Sequence, residues 1–283
     1  MARSVRRTAG VEDTLSRPGL VNRALMGVAE WAQELNEKYS KLGNRPVYNV
    51  GDFPWAMDVE REWHHIRTEL DSLLTRKEEL PGCHEILSEL RSISTDRDWK
   101  TFVFACYGAK SDEAIRRCPQ TWRILQTIPG MKTAMFSVLE PGKHLKPHRG
   151  PYNGVLRLHL GLLVPDAPPR TVAIRVDDTV CEWDEGKVLI FDDSYEHEAW
   201  NRSDDTRVVL FVDFVKPLRF PASFVNWLLL NIAAFTPFIR EGKKAHKEWE
   251  KGFYRNGDSL ETGAPSAPAS LQRVPTHRSS RTV

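Results

Sequence analysis

The chain has 283 residues, 41% of them hydrophobic, enough to bury a sizeable core without disulfide or metal staples. With 40 Lys and Arg against 38 Asp and Glu the formal charge is +2, so bulk electrostatics give no pull toward phosphate backbones and no nucleic-acid partner is expected. The four cysteines, Cys83, Cys106, Cys118 and Cys181, form no CxxC pair and read as reduced packing residues.

The basic start, MARSVRRTAG, runs into Glu12 and Asp13 instead of an apolar stretch, so no secretory signal is expected and the chain reads as cytoplasmic. Residues 1–18 lack periodicity and read as disordered. Val21, Leu25, Val28, Ala32, Leu35 and Tyr39 then recur at steps of four and three, the apolar face of a helix ending near Gly43. A second helix is expected from Asp58, with Trp63, Ile66, Leu70 and Leu74 on one stripe, and shorter pieces at 84–90 and 112–117. Residues 19–98 thus form a helical region expected to pack on a β barrel built from the middle of the chain.

From Trp99 the texture changes to short β-branched and aromatic runs separated by turn signals such as Pro141-Gly142, Gly150-Pro151 and Asp184-Glu185-Gly186. Strands are expected at 101–107, 133–139, 156–164, 171–176, 187–191, 198–201 and 207–214. Strands at such intervals without long helices between them make 99–217 a mainly β domain, a sandwich or jelly-roll barrel. Helical pattern returns over 218–255, and 256–283, rich in Ser, Pro, Thr and Arg, reads as a disordered tail. The apolar run 224–238 is broken by Asn226, Asn231 and Pro237, and is short of the roughly 20 residues a spanning helix needs. Lys216 and Arg219 precede it, and Arg240, Lys243, Lys244 and Lys247 come after it. Residues 221–254 therefore suit either a peripheral contact with an anionic bilayer, at the inner face of the membrane, or a helix packed on the barrel.

Three features of the β domain could carry chemistry. His148, in KPHRGPYNG, and His197, in DSYEHEAWN, lie in polar segments from which imidazoles on different strands can converge on one metal; a surface or satisfied-core role is the plainer alternative for either alone. The run Arg157-Leu158-His159-Leu160-Gly161-Leu162 alternates strictly, so if the leucines face the helices, Arg157 and His159 enter the barrel, which is costly unless they meet an anion. Arg207 opens an apolar strand, where a guanidinium can hold a carboxylate by two parallel hydrogen bonds; pairing with Asp204 or Asp205 at the rim is its plainer reading. Together they describe a metal beside a dicarboxylate site.

The ordered segments PHRGP at 147–151, LRLHLGL at 156–162, WDEGKVLIFDDSYEHE at 183–198, and then Arg207 resemble the aspartyl/asparaginyl β-hydroxylase family, a branch of the Fe(II) and 2-oxoglutarate dependent dioxygenases. The resemblance covers roughly 99–217. It implies a double-stranded β-helix (jelly-roll, cupin-like) barrel, His148 and His197 as iron(II) ligands, and Ser137, Arg157, His159 and Arg207 around 2-oxoglutarate, with Arg207 on its distal carboxylate. Related oxygenases add a carboxylate two residues after the first histidine. Here that position is Gly150, as in the animal-type members, whereas similar lipid A hydroxylases carry aspartate, which argues against carrying over the lipid A assignment. Asp192, Asp193, Glu196 and Glu198 are expected to be structural or to orient the imidazoles.

The implied reaction consumes O2 and 2-oxoglutarate and hydroxylates an unactivated C–H bond. The first expectation is the β-carbon of Asp or Asn in a peptide or carrier-bound amino acid. The rival is the 2-position of an acyl chain in a membrane lipid, of lipid A or ornithine-lipid type. A non-catalytic metal- or ligand-binding barrel is the alternative of another class.

Overall fold

A computed structural model describes residues 20–86, 88–233 and 237–261. The start expected to be disordered, 1–18, and residues 262–283 of the expected tail lie outside the described residues. The chain begins with α1 (Leu20–Lys38), β1 (Val47–Tyr48), α2 (Pro54–Arg61), α3 (Trp63–Leu74) and α4 (Cys83–Ile86). Next come β2 (Trp99–Cys106), β3 (Ala109–Lys110), α5 (Asp112–Arg117), α6 (Pro119–Leu125), β4 (Met131–Leu139) and β5 (His144–His148). The remaining strands are β6 (Val155–Leu163), β7 (Val172–Val176), β8 (Thr179–Glu182), β9 (Val188–Phe191), β10 (His197–Asn201) and β11 (Arg207–Val215), before α7 (Ala222–Ala233) and α8 (Pro237–Glu261).

Two antiparallel sheets build the expected mainly β jelly-roll barrel. The larger runs β1-β9-β6-β11-β4-β2-β3 and the smaller β5-β10-β7-β8. The alternation of β6 works as the pattern requires. Leu158, Leu160 and Leu162 join Ile66 and Leu70 of α3, Ile124 of α6 and Phe253 of α8 in a core between the large sheet and the helices. Its other face turns Arg157 and His159 inward. A second core, with Leu145, Ile174, Val176, Phe191 and Val209, fills the barrel itself.

Apart from α1 ending at Lys38 instead of near Gly43, the helical region departs from its expected form in two places. The helix expected from Asp58 starts at Pro54, whose missing N–H costs nothing in a first turn, and divides at Glu62 (φ −93°, ψ 3°) into α2 and α3. The piece expected at 84–90 is α4 and then a 3-10 turn, Ser88–Ser92.

The stretch 221–254 also divides. α8 packs on the protein: Phe253 is buried, its ring stacks on Trp249 at 4.8 Å and carries the Arg76 guanidinium at 4.1 Å, and Trp249 Nε1–H donates to the Glu79 carbonyl at 3.1 Å. No described helix is long and apolar enough to cross a membrane.

Candidate active site

β5 is polar and contains Pro147, yet it pairs with β10 so that His148 lies directly across from His197. Opposed residues on paired strands are close enough for their side chains to meet, and these two rings approach to 4.2 Å between centroids. His148 therefore ends a strand. Nδ1 of His148 lies 2.7 Å from the Lys146 carbonyl oxygen, and Nδ1 of His197 lies 3.0 Å from that of Tyr195. A carbonyl only accepts, so each ring carries its proton on Nδ1 and keeps the Nε2 lone pair free, the tautomer and orientation of a metal ligand. Burial lowers the pKa of His148 and, together with the neighbouring His148 ring and the Arg157 charge, holds His197 well below the ordinary imidazole value. Neutral imidazole is the ligating form.

Gly150 is explained by what faces it. A Cβ there would lie 2.2 Å from Asp193 Oδ2 and 2.5 Å from its Cγ, and the Gly150 N–H donates to the Asp193 carbonyl at 2.7 Å. The Asp193 carboxylate fills the space that an aspartate at 150 would need. Among the described residues no three His, Cys, Asp or Glu side chains are grouped as a metal-binding set, so the side-chain donors on offer are the two imidazoles. They suit iron(II) provided that a cosubstrate or water completes the coordination.

Arg157 sits across β6–β11 from Asp213, and its Nε–H donates to Asp213 Oδ1 at 2.8 Å. Its Nη2 is 2.8 Å from Asp193 Oδ2, and its plane lies over the Phe211 ring at 4.2 Å. Burial alone would lower the Arg157 pKa, but Asp193 and Asp213 more than offset it and leave the guanidinium raised. Burial likewise pushes the Asp193 carboxyl up against the pull of Arg157. The Arg157 guanidinium 2.8 Å away opposes that rise, and burial is the cost of gathering three ionisable groups in one dry place. Tyr107 reaches the same cluster from a left-handed backbone (φ +43°), and burial together with the charges of Asp213 and Asp193 keeps its phenol protonated.

Arg207 is the opposite case. It is 1% exposed, its Nη1–H donates to the Ser137 carbonyl at 3.1 Å, and its plane lies 4.5 Å from the Trp183 ring, yet no carboxylate among the described residues pairs with it and Nε has no partner. The rim pairing with Asp204 or Asp205 is absent. Burial pushes its pKa down to about 9. Around it, both ring nitrogens of His159 and Nε1 of Trp183 are buried without partners, while the Ser137 hydroxyl accepts from Trp99 Nε1–H at 3.1 Å. Burial and the charges of Arg207 and Arg157, with the His197 ring nearby, hold His159 neutral. Unsatisfied buried donors on this scale are rare in native interiors and mark a place where a polar ligand belongs.

All six residues named from the sequence thus meet between the sheets, His148 and His197 from the small one and Ser137, Arg157, His159 and Arg207 from the large one. Of the two roles expected for the nearby carboxylates the structural one applies, and none among the described hydrogen bonds reaches either imidazole. Asp192 pairs with buried Lys216 at 2.8 Å, Glu198 and Glu196 meet Arg175, and Asp193 meets Arg157. Trp183 and Tyr107 are additions that sequence reasoning misses. Trp183 opens the 183–198 motif and could have been suspected from that place, whereas nothing in Tyr107-Gly108 signals a site.

The aspartyl/asparaginyl β-hydroxylase family profile matches residues 60–217. The chain belongs to that family. Among its relatives, an ornithine lipid ester-linked acyl 2-hydroxylase of Rhizobium tropici is 58% identical over 89% of each chain. The human aspartyl/asparaginyl β-hydroxylase is 31% identical over 63% of this chain, which spans 25% of that longer protein. Among solved structures a Pseudomonas putida prolyl-4-hydroxylase aligns over 54% of this chain and 87% of its own, at 14% identity and a TM-score of 0.36.

Proposed function

We propose that this family member is an iron(II) and 2-oxoglutarate dependent dioxygenase that hydroxylates the 2-position of an ester-linked acyl chain in an ornithine lipid. The buried, unpaired Arg207 carries the cosubstrate half of the reading. A guanidinium kept charged in a dry barrel without an anion is costly, and a carboxylate that enters turns that cost into a charge-assisted pair. The substrate half rests on the extent of identity to the Rhizobium tropici enzyme, which reverses the order of the two substrate classes reached from sequence. An uncharged substrate group is compatible with the site: Arg157, the cation beside the histidines, is already paired with Asp193 and Asp213 through Nη2 and Nε.

With iron(II) and 2-oxoglutarate bound, the site would have the chemistry to oxidise an unactivated C–H bond, one oxygen atom of O2 going to the substrate as hydroxyl and the other to succinate, formed with CO2. His148 and His197 would hold the metal through Nε2. Arg207, backed by Trp183 and the Ser137 carbonyl, would bind the distal carboxylate, and neutral His159 can give or take one hydrogen bond. Phe191 and Phe211 flank His159, with ring centroids 5.1 and 5.3 Å away, and keep water from it.

The test compares the lipids of cells with and without this protein by mass spectrometry, beside succinate formation by the purified protein. One added oxygen on the ester-linked acyl chain, and no succinate from His197→Ala, are expected. Unchanged lipids with a hydroxylated peptide would return the assignment to the Asp/Asn β-carbon, and no succinate under any condition would leave a binding barrel.

A further inference from the structure

α7 is built inside out. Ala222, Asn226 and Leu230, one face at steps of four, are its buried side, and Asn226 Nδ2–H donates to the Gly154 carbonyl at 2.8 Å. The opposite side carries Phe224, Trp227, Leu228 and Ile232, exposed by 57, 57, 43 and 53%, and Phe220 just before the helix is 78% exposed. Phe224 and Trp227 stack on each other at 6.0 Å. A helix on a water-facing surface normally reverses this order, and a contiguous apolar face marks a docking site.

We propose that this face seats the enzyme on an anionic lipid bilayer, an inference that rests on the lipid reading of the substrate and adds the surface from which that substrate is taken. Charge selects the occupant. No Asp or Glu occurs between Asp213 and Glu241, while Arg219 is exposed before α7 and Lys243, Lys244 and Lys247 are exposed on α8. A stacked Phe-Trp pair with aliphatic neighbours, in a stretch of chain that carries basic but no acidic residues, has the composition of a helix lying in a membrane interface. A second copy of the chain would bring the same cations to a segment with no acid to meet them.

The helix that carries this face is also tied to the site. α1 packs beside α7, and Asn36 Nδ2–H donates to the Tyr152 hydroxyl at 3.0 Å and to Asn153 Oδ1 at 3.1 Å. Asn153 Nδ2–H donates back to the Gln33 carbonyl at 3.1 Å. With the Asn226–Gly154 bond, the two helices clamp residues 152–154, the connection between the strand that ends at His148 and the strand that carries Arg157. Docking through α7 would leave one helix between the bilayer and that connection.

The experiment is co-flotation of the purified full-length chain with vesicles of phosphatidylglycerol and phosphatidylcholine, without iron or 2-oxoglutarate and without ornithine lipid. Binding at low salt that weakens as salt is added is expected. The variant Phe224→Ser/Trp227→Ser/Leu228→Ser should bind about tenfold or more weakly with an unchanged melting temperature, and Lys243→Ala/Lys244→Ala several-fold more weakly at low salt only. On ornithine lipid the triple variant should lose turnover in vesicles and keep it in detergent micelles. Absence of wild-type flotation at low salt, equal flotation of the triple variant, or a wild-type dimer that this variant abolishes would each overturn the docking face. Because flotation uses no substrate, vesicle binding without lipid hydroxylation would remove the substrate reading and leave the surface, whereas hydroxylation in micelles without flotation would do the reverse.

Discussion

Position 150 shows how a missing side chain can be dictated by a neighbour. The carboxylate expected of related oxygenases has no room there, because Asp193 stands within 2.2 Å of where a Cβ would be, and Asp193 cannot retreat without abandoning the Arg157 guanidinium at 2.8 Å. Gly150→Asp alone should therefore overpack the site, lowering stability by roughly 1–3 kcal/mol and weakening iron(II) or cobalt(II) binding instead of adding a ligand. Removing the obstacle reverses the sign: Gly150→Asp/Asp193→Ala should bind the metal more tightly than Gly150→Asp, a strong non-additivity between touching residues. Metal titration and thermal unfolding of the three proteins decide it, and a single variant as stable and as tight as wild type would show that Asp193 gives way freely. The glycine was legible in the sequence but its cause was not, since residues 150 and 193 meet only once β5 and β10 are paired. The same holds for Arg157, whose inward direction follows from alternation along β6 but whose two aspartates come from other segments.

At the level of elements, what could be read depended on how strongly tertiary packing reinforces local pattern. β6 and β11 are buried on both faces or alternate strictly, and their expected bounds fall within a residue of those observed. β5 was invisible because His144-Leu145-Lys146-Pro147-His148 has little β character; it is an edge strand, where proline costs no ladder bond and polar side chains meet water. β8, Thr179–Glu182, is likewise an edge strand with mostly exposed residues. The C-terminal helices show the converse. Basic flanks and apolar runs made 221–254 look like one unit, yet α7 turns its apolar side outward while α8 buries Phe253 against Trp249 and beneath Arg76. Phe253→Ala should thus cost roughly 3–5 kcal/mol, read by denaturant unfolding, and a chain ending before α8 should be unstable rather than released from membranes as a sound domain. A truncation that melts like the full chain would deny α8 its part in the core.

For the whole molecule the important fact is that the site is divided between the sheets. His148 and His197 belong to the small sheet and Arg207 with His159 to the large one, so a ligand held from both sides ties the barrel together. Without one, the large sheet carries Arg207 at a cost. Burial has pushed its pKa down to about 9, well below that of an arginine in the unfolded chain, so above pH 9 the unfolded chain holds the extra proton and this group's contribution to stability rises with pH, while at neutral pH the buried charge works against folding. Arg207→Met, similar in reach and uncharged, should then melt no lower than wild type in the absence of ligand. Its apparent affinity for 2-oxoglutarate should fall well over tenfold, as about 2–5 kcal/mol is lost when one partner of a buried charge pair is truncated. Saturating 2-oxoglutarate with a redox-inert divalent metal should raise the wild-type melting temperature, since a ligand at a hundred times its Kd adds about 2.7 kcal/mol. Pyruvate keeps the 2-oxo acid but has no distal carboxylate for Arg207, and should give little of that shift. Thermal shift over these four combinations separates the roles: an equal rise with pyruvate, or a full rise in Arg207→Met, would place the distal carboxylate on another cation, and Arg157 would have to leave its two aspartates to receive it.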